Sequence, residues 1–147
     1  MPTLANCTVK FHTNDEDKDD DTHVTVTVRD DNNNVVARIS NAFGHFDDHS
    51  DAGPFALAIQ NASEKARIQR GNVTIRIDPN GNDTWRFNFF LDLLFSDGSH
   101  LSGGTDTGIA LNQNRREQNF GLNGILRESK PARPPQRRPT NRSPREL

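Results

Sequence analysis

The sequence predicts an all-β fold: an antiparallel β-sandwich of about eight strands, followed by a disordered basic C-terminal tail. Three observations carry this. Apolar and polar residues alternate with period 2 in H-V-T-V-T-V-R (residues 23–29) and again from Trp85 to Phe95. Turn-forming clusters (D-D-N-N-N, D-P-N-G-N-D, S-D-G) separate the alternating segments at the short spacing of sandwiches and barrels. Five of the eight prolines fall at Pro131, Pro134, Pro135, Pro139 and Pro144, where Ala132 and Leu147 are the only apolar residues, so the packed region ends before Pro131.

The elements follow in order. Residues 7–11 (C-T-V-K-F) alternate and predict a first strand. An acidic loop follows. The strand at 23–29 turns Val24, Val26 and Val28 one way and Thr25 and Thr27 the other, and its β-branched residues suit a pleated surface. Residues 30–34 are a turn, because Asp and Asn bond their own backbone and tolerate left-handed conformations; residues 35–39 return as the hairpin partner. After a second polar loop (41–53), residues 55–59 predict a strand with Phe55, Leu57 and Ile59 inward. Residues 63–67 give at most one helical turn. Residues 73–77 form a strand ending in the turn at 78–83. Residues 85–95 predict the longest strand, about 36 Å at 3.3 Å per residue. Trp85, Phe87, Phe89, Leu91, Leu93 and Phe95 share its core face; Phe90 and Leu94 imply partial cover on the other. Residues 108–111 suggest an edge strand, and Phe120, Leu122, Ile125 and Leu126 are the last apolar anchors.

With 147 residues, of which 31% are hydrophobic, the chain supports one domain. Residues 1–126 are expected to form the sandwich and residues 127–147 the tail. The formal charge of −2 conceals a division: seven basic residues and two acids from residue 127 onward leave +5 there and −7 before it. The one cysteine, Cys7, excludes an internal disulfide and fits a reducing compartment. No basic n-region, apolar h-region or membrane-length apolar run is visible, which predicts a cytoplasmic location. Sequons at Asn6, Asn61, Asn72, Asn82 and Asn141 are then read as products of an Asn-rich chain.

Chemistry concentrates in the loops. Residues 15–21 (D-E-D-K-D-D-D) hold six carboxylates and one Lys. Crowded carboxylates repel and call for a counter-charge, and a hard cation such as Ca²⁺, with six to eight oxygen ligands, supplies it. Acidic loops at 47–51 and 78–83 also lie between strands. Loops of a sandwich cluster at its two ends, so a shared end would bring these carboxylates onto one or two ions. The alternative is solvated acidic surface. An EF-hand is excluded by the lack of its D-x-[DN]-x-[DN]-G pattern. Zinc is disfavoured, since His45 and His49 lie on a loop and no paired Cys exists. No G-x-S-x-G elbow or phosphate-binding Gly loop is present, and Cys7 reads as a small buried residue. The tail attracts anions by charge. Without aromatics, its contact with nucleic acid would be nonspecific and salt-sensitive.

The order of segments resembles the PLAT (lipoxygenase-homology) β-sandwich. The resemblance rests on C-T-V-K-F-H-T-N-D (from Cys7) with D-D-D-T-H-V-T-V (from Asp19), on H-F-D-D-H-S-D-A-G-P-F-A-L (from His45), and on the run from Gly71 through Trp85 into the long strand. It covers residues 7–100. The family's closing aromatic-Pro/Cys-Trp segment is absent after Gly98, two extra residues separate Asp51 from Phe55, and the first loop is more acidic than the pattern. The resemblance implies a noncatalytic module that docks onto a membrane or a protein, often with Ca²⁺ in its loops. It places Asp15 and Asp21 in the first calcium loop and Asp51 in the second; Asp17, Asp19, Asp47 and Asp48 join them by proximity.

The reading that follows is a Ca²⁺-dependent binding module using Asp15, Asp17, Asp19, Asp21, Asp47 and Asp51, with Phe46 as an apolar contact to a membrane or partner. Phe43 fits core packing better. The alternative is a calcium-independent protein-interaction domain whose tail, through Arg137 and Arg138, binds an anionic partner.

Overall fold

Eleven strands and two short helices make up residues 2–79 and 81–129, the part of the chain that the computed structural model describes. In order they are β1 (Leu4–Glu16), β2 (His23–Arg29), β3 (Val35–Asn41), β4 (Asp51–Ala56), β5 (Ala58–Ile59), α1 (Lys65–Gln69), β6 (Asn72–Asp78), β7 (Thr84–Phe95), β8 (His100–Gly104), β9 (Ile109–Asn112), β10 (Glu117–Gly121), α2 (Leu122–Ile125) and β11 (Leu126–Ser129). They form two antiparallel sheets, an all-β sandwich. One has the order β11-β8-β7-β1-β4, with β9 also paired to β7; the other has the order β10-β6-β2-β3-β5. Strands β9 and β8 lie end to end along β7, opposite residues 84–87 and 90–94.

The core lies between the sheets. Val24, Val26 and Val28 meet Val73, Ile75 and Ile77 in one layer, and Trp85, Phe87, Phe89, Leu91, Leu93 and Phe95 face them from β7; all are buried. Trp85 is fully buried and donates its indole N–H to Thr13 Oγ1 at 3.0 Å. The turn at 30–34 forms as its residues suggest. Asp30, itself buried, accepts N–H bonds from Asn32 and Asn34 on Oδ1 and the Ser63 hydroxyl on Oδ2. Burial alone would raise the Asp30 carboxyl. These donors, with Arg67 nearby, hold it below its ordinary value.

Several expectations are corrected. Residues 55–59 are not one strand. The chain crosses between sheets at Leu57, whose N–H reaches Cys7 O, so β4 pairs with β1 and β5 with β3, and Ile59 turns outward instead of in. The strands number eleven because one expected strand is divided into β4 and β5, and β8, β10 and β11 are strands as well. Leu101 and Phe120 are the only large apolar residues of β8 and β10, so neither shows a period. The folded region continues past residue 126. Strand β11 runs to Ser129 beside β8, and Glu128 is bound by the ammonium of Lys65, a buried residue that also donates to Ser99 Oγ at 2.7 Å and lies over the Phe95 ring. The far face of β7 is not covered at Phe90, which stays 46% exposed. Among the described residues, no helix is long and apolar enough to cross a membrane. The Pro/Arg-rich tail, with Arg137 and Arg138, lies outside the described residues.

The alternation along β7 makes a direct test. Leu93 is fully buried and Leu94 only partly. Leu93→Ala is expected to cost about 2–5 kcal/mol of unfolding free energy and Leu94→Ala less than about 1 kcal/mol in urea titrations; equal losses would refute the assignment of faces.

Candidate functional site

The three acidic loops meet at one end of the sandwich. The first, leading out of β1, is zipped to the second by paired backbone bonds: Lys18 N–H to Phe46 O and Phe46 N–H to Lys18 O, each 3.1 Å. His49 N–H to Asn14 O and Thr13 N–H to Ser50 O continue the seam. The third loop enters through Asp83. Its Oδ2 accepts the Thr22 hydroxyl at 2.6 Å and the Asp19 N–H at 3.1 Å.

At the centre is Lys18, the one cation of the acidic run, fully buried. Its ammonium lies within hydrogen-bond distance of four backbone carbonyls, which share its three N–H groups: Ala42 and Gly44 at 2.6 Å each, Asp19 at 2.9 Å and Thr22 at 3.1 Å. The turn between the first two makes this possible. Phe43 and Gly44 both have positive φ (61° and 82°), a conformation that glycine adopts freely and phenylalanine rarely. Below the ammonium lies the Phe46 ring, 4.8 Å to its centroid, a favourable cation–π placement. Burial lowers the Lys18 pKa from its ordinary value, while Asp83, Asp20, Asp19 and Asp21 pull it back up.

Phe46 is therefore not a surface contact. It is 5% exposed and packs with Phe11, Phe43, Phe55 and Trp85. Pairing with Lys18 directs its side chain inward, which corrects the expectation that it would reach a membrane or partner. Phe43 leans on the same cluster, 4.4 Å from Phe55 between ring centroids.

Around this buried cation the carboxylates of Asp19, Asp20 and Asp47 are exposed, that of Asp17 is half-buried, and His45 joins them. His45 Nε2 lies 3.0 Å from Asp47 Oδ1 and 3.2 Å from Asp17 Oδ2, and Nδ1 lies 3.5 Å from Asp20 Oδ1. Among the described residues, Asp17, Asp19 and His45 are the group whose ligand atoms, all within 4.8 Å of one another, could share a metal ion. The Asp19 carboxyl is raised above its ordinary value, by burial first and then by the charges of Asp83, Asp17 and Asp21. The end as a whole remains short of positive charge.

The other residues expected to ligate are placed differently. Asp15 is the next-to-last residue of β1, with its carboxylate 3.9 Å from Arg86 Nε. Asp21 stays in the first loop and adds its charge to the field at Lys18 and Asp19. Asp51 opens β4 opposite His12 and binds it, Nδ1 to Oδ1 at 2.7 Å, on the outer face of the larger sheet. The structure thus gathers Asp17, Asp19 and Asp47 about His45 and sets Asp15 and Asp51 in other pairs. Lys18, His45, Asp20 and Asp83 are the residues that sequence reasoning missed. A lone Lys amid six acids was the available signal for the first. No family model matches the sequence, and no curated protein matches it.

Two outcomes test this geometry. Lys18→Met strips the carbonyl cage of its donor and leaves Asp83 buried without a neighbouring cation; a loss of about 3–5 kcal/mol is expected in denaturant unfolding. Asp19→Asn has the opposite sign. A carboxyl whose folded pKa is raised opposes folding when ionised, and the penalty fades as pH falls through that pKa. The variant is expected to melt higher than the wild type at neutral pH without added metal, with the gap closing toward pH 4 in melting scans.

Proposed function

We propose that the chain is a noncatalytic binding module of PLAT-like kind, acting in the cytoplasm, and that its working end is the junction of the three acidic loops. The observation that carries this is the convergence of Asp17, Asp19 and Asp47 at one end of a sandwich, over a buried cation. The segment order that resembles PLAT domains supports the same reading. The one thiol is a poor nucleophile: Cys7 is buried and its pKa is pushed up to about 12, by burial first and then by Asp92.

Ca²⁺ is the ligand proposed for these carboxylates. Lys18 already places one positive charge beneath them, so the ion meets a partly neutralised site. Weak affinity follows, in the range of roughly 10⁻⁴–10⁻³ M. With Phe46 inside and Phe43 leaning on the core, the loops present no apolar prong to a bilayer. A protein surface is therefore the proposed docking partner, with Ca²⁺ bridging acidic groups on both sides.

Lys18 also favours a second reading. A loop that contains its own counter-ion is ordered without metal, and the acidic end then binds a basic protein surface directly. In the tail-borne form of this reading, Arg137 and Arg138 hold an anionic partner.

Calcium at about ten times such a dissociation constant is expected to raise the melting temperature by about 3–6 °C, and Asp17→Asn with Asp19→Asn and Asp47→Asn to abolish the rise. No shift in the wild type would remove the calcium reading. Salt-sensitive partner capture that ignores chelator would then support the second, and its loss on deleting residues 131–147 would assign it to the tail.

A further inference from the structure

The outer face of the larger sheet carries a cleft of 570 Å³, away from the Lys18 cage and independent of the reading given to the acidic end. Its size falls in the usual range of small-ligand sites. The floor is formed by β8, β7 and β1, and among its lining residues Phe90 is a large apolar side chain left 46% exposed. Across the sheet Phe90 stands between Lys10 on β1 and Gly104 on β8.

The glycine side of that row is bare for a structural reason. A Cβ on Gly104 would lie 1.7 Å from Phe89 O, and one on Gly103 would lie 2.1 Å from Ile125 O. No other residue fits at either position. The ring is therefore flanked by flat backbone on one side, a surface that a planar ligand can cover.

Polar groups around the ring are held in place by the protein. Asn88 Oδ1 accepts the Gly108 N–H at 2.8 Å and the Thr105 hydroxyl at 3.0 Å, which fixes the amide and commits its N–H₂ as a donor. His12 is oriented by its 2.7 Å bond to Asp51. Lys10, Arg127, Asp51 and Asp106 line the cleft as well, two cations with two carboxylates.

Three ligand classes fit this poorly. A phosphate or nucleotide wants a surplus of positive charge. A lipid chain wants apolar walls, and here the apolar side-chain surface rests on Phe90 and Ile125. A peptide strand wants an open sheet edge, but β8, β7 and β1 each have paired neighbours on both sides. What remains is an uncharged ligand with one flat apolar face and many hydroxyls. We propose that this cleft binds a neutral carbohydrate, a short oligosaccharide whose pyranose C–H face stacks on Phe90 while Asn88, His12, Asp51, Lys10 and Arg127 bond its hydroxyls. The negative face of an aromatic ring attracts the C–H edge of a sugar by the same quadrupole that orders aromatic pairs.

The test titrates ¹⁵N-labelled full-length protein with cellotetraose, maltotetraose and mannotetraose, and with ADP as an anionic comparison. At roughly millimolar sugar, at least one tetrasaccharide is expected to move the amides of residues 10–12, 88–90 and 103–106. Phe90→Ala is expected to weaken that binding about tenfold or more, and Phe90→Leu, which keeps the strand and its apolar bulk but not the flat ring, by about three- to tenfold. Unchanged amide shifts outside the cleft confirm that both variants are folded. The proposal is overturned if none of the three sugars moves these amides, if binding survives intact in both folded variants, if the shifts gather at the acidic loops, or if ADP alone produces them.

Discussion

A buried ammonium with four carbonyls around it sets the shape of the loop end. Taking a Lys out of water costs several kcal/mol, and the four carbonyls, the Phe46 ring and the surrounding aspartates offset that cost. The ammonium is compact and can donate in three directions, so it draws carbonyls from two loops toward one point. The unusual turn at Phe43 and Gly44 follows from this demand, since it aims two carbonyls at the same nitrogen. The inward course of Phe46 follows too. The acidic loops owe their shared geometry to a cation that the chain carries with it.

Two phenylalanines show how position governs what the same side chain does. Phe46 comes from a loop rich in aspartate, yet it is buried because its backbone pairs with Lys18. Phe90 comes from the most apolar strand of the protein, yet it is exposed because its phase on β7 sends it outward, beside a glycine that has no side chain to cover it. Loop membership therefore says little about accessibility here. Strand phase and cross-strand partners decide it. The result is a molecule with a charged end that attracts cations and a neutral, partly aromatic face that does not.

The fold was legible where a residue's role depends on near neighbours. The strands at His23–Arg29 and Thr84–Phe95 were readable from alternation, and the Asp30 turn from the habit of Asp and Asn of bonding their own backbone. The sheet switch at Leu57 was not legible, because alternation continues through it while the hydrogen-bonding partner changes from β1 to β3. The candidate site was legible as a supply of carboxylates but not as a geometry. His45, which sits beside Asp47 in the second loop, meets Asp17 of the first, and Thr22 meets Asp83, through contacts between loops, one of them spanning 61 residues. Local sequence cannot encode such pairs. Lys18 was visible as an exception within its run, but its burial depends on carbonyls 24 and 26 residues away.

The single tryptophan sits where the core meets the loop end. Its ring lies 5.6 Å from that of Phe46, and the Lys18 ammonium lies over the same Phe46 ring. Only one side chain separates the chromophore from the charge that organises the loops. The indole N–H is engaged by Thr13, on the strand that runs out into the first acidic loop. Emission from Trp85 is thus a native optical gauge of the cage: blue-shifted while the ring is dry, and sensitive to any loosening of the ammonium above it. Any loosening of the cage and the first step of unfolding become visible at one wavelength, with no label attached.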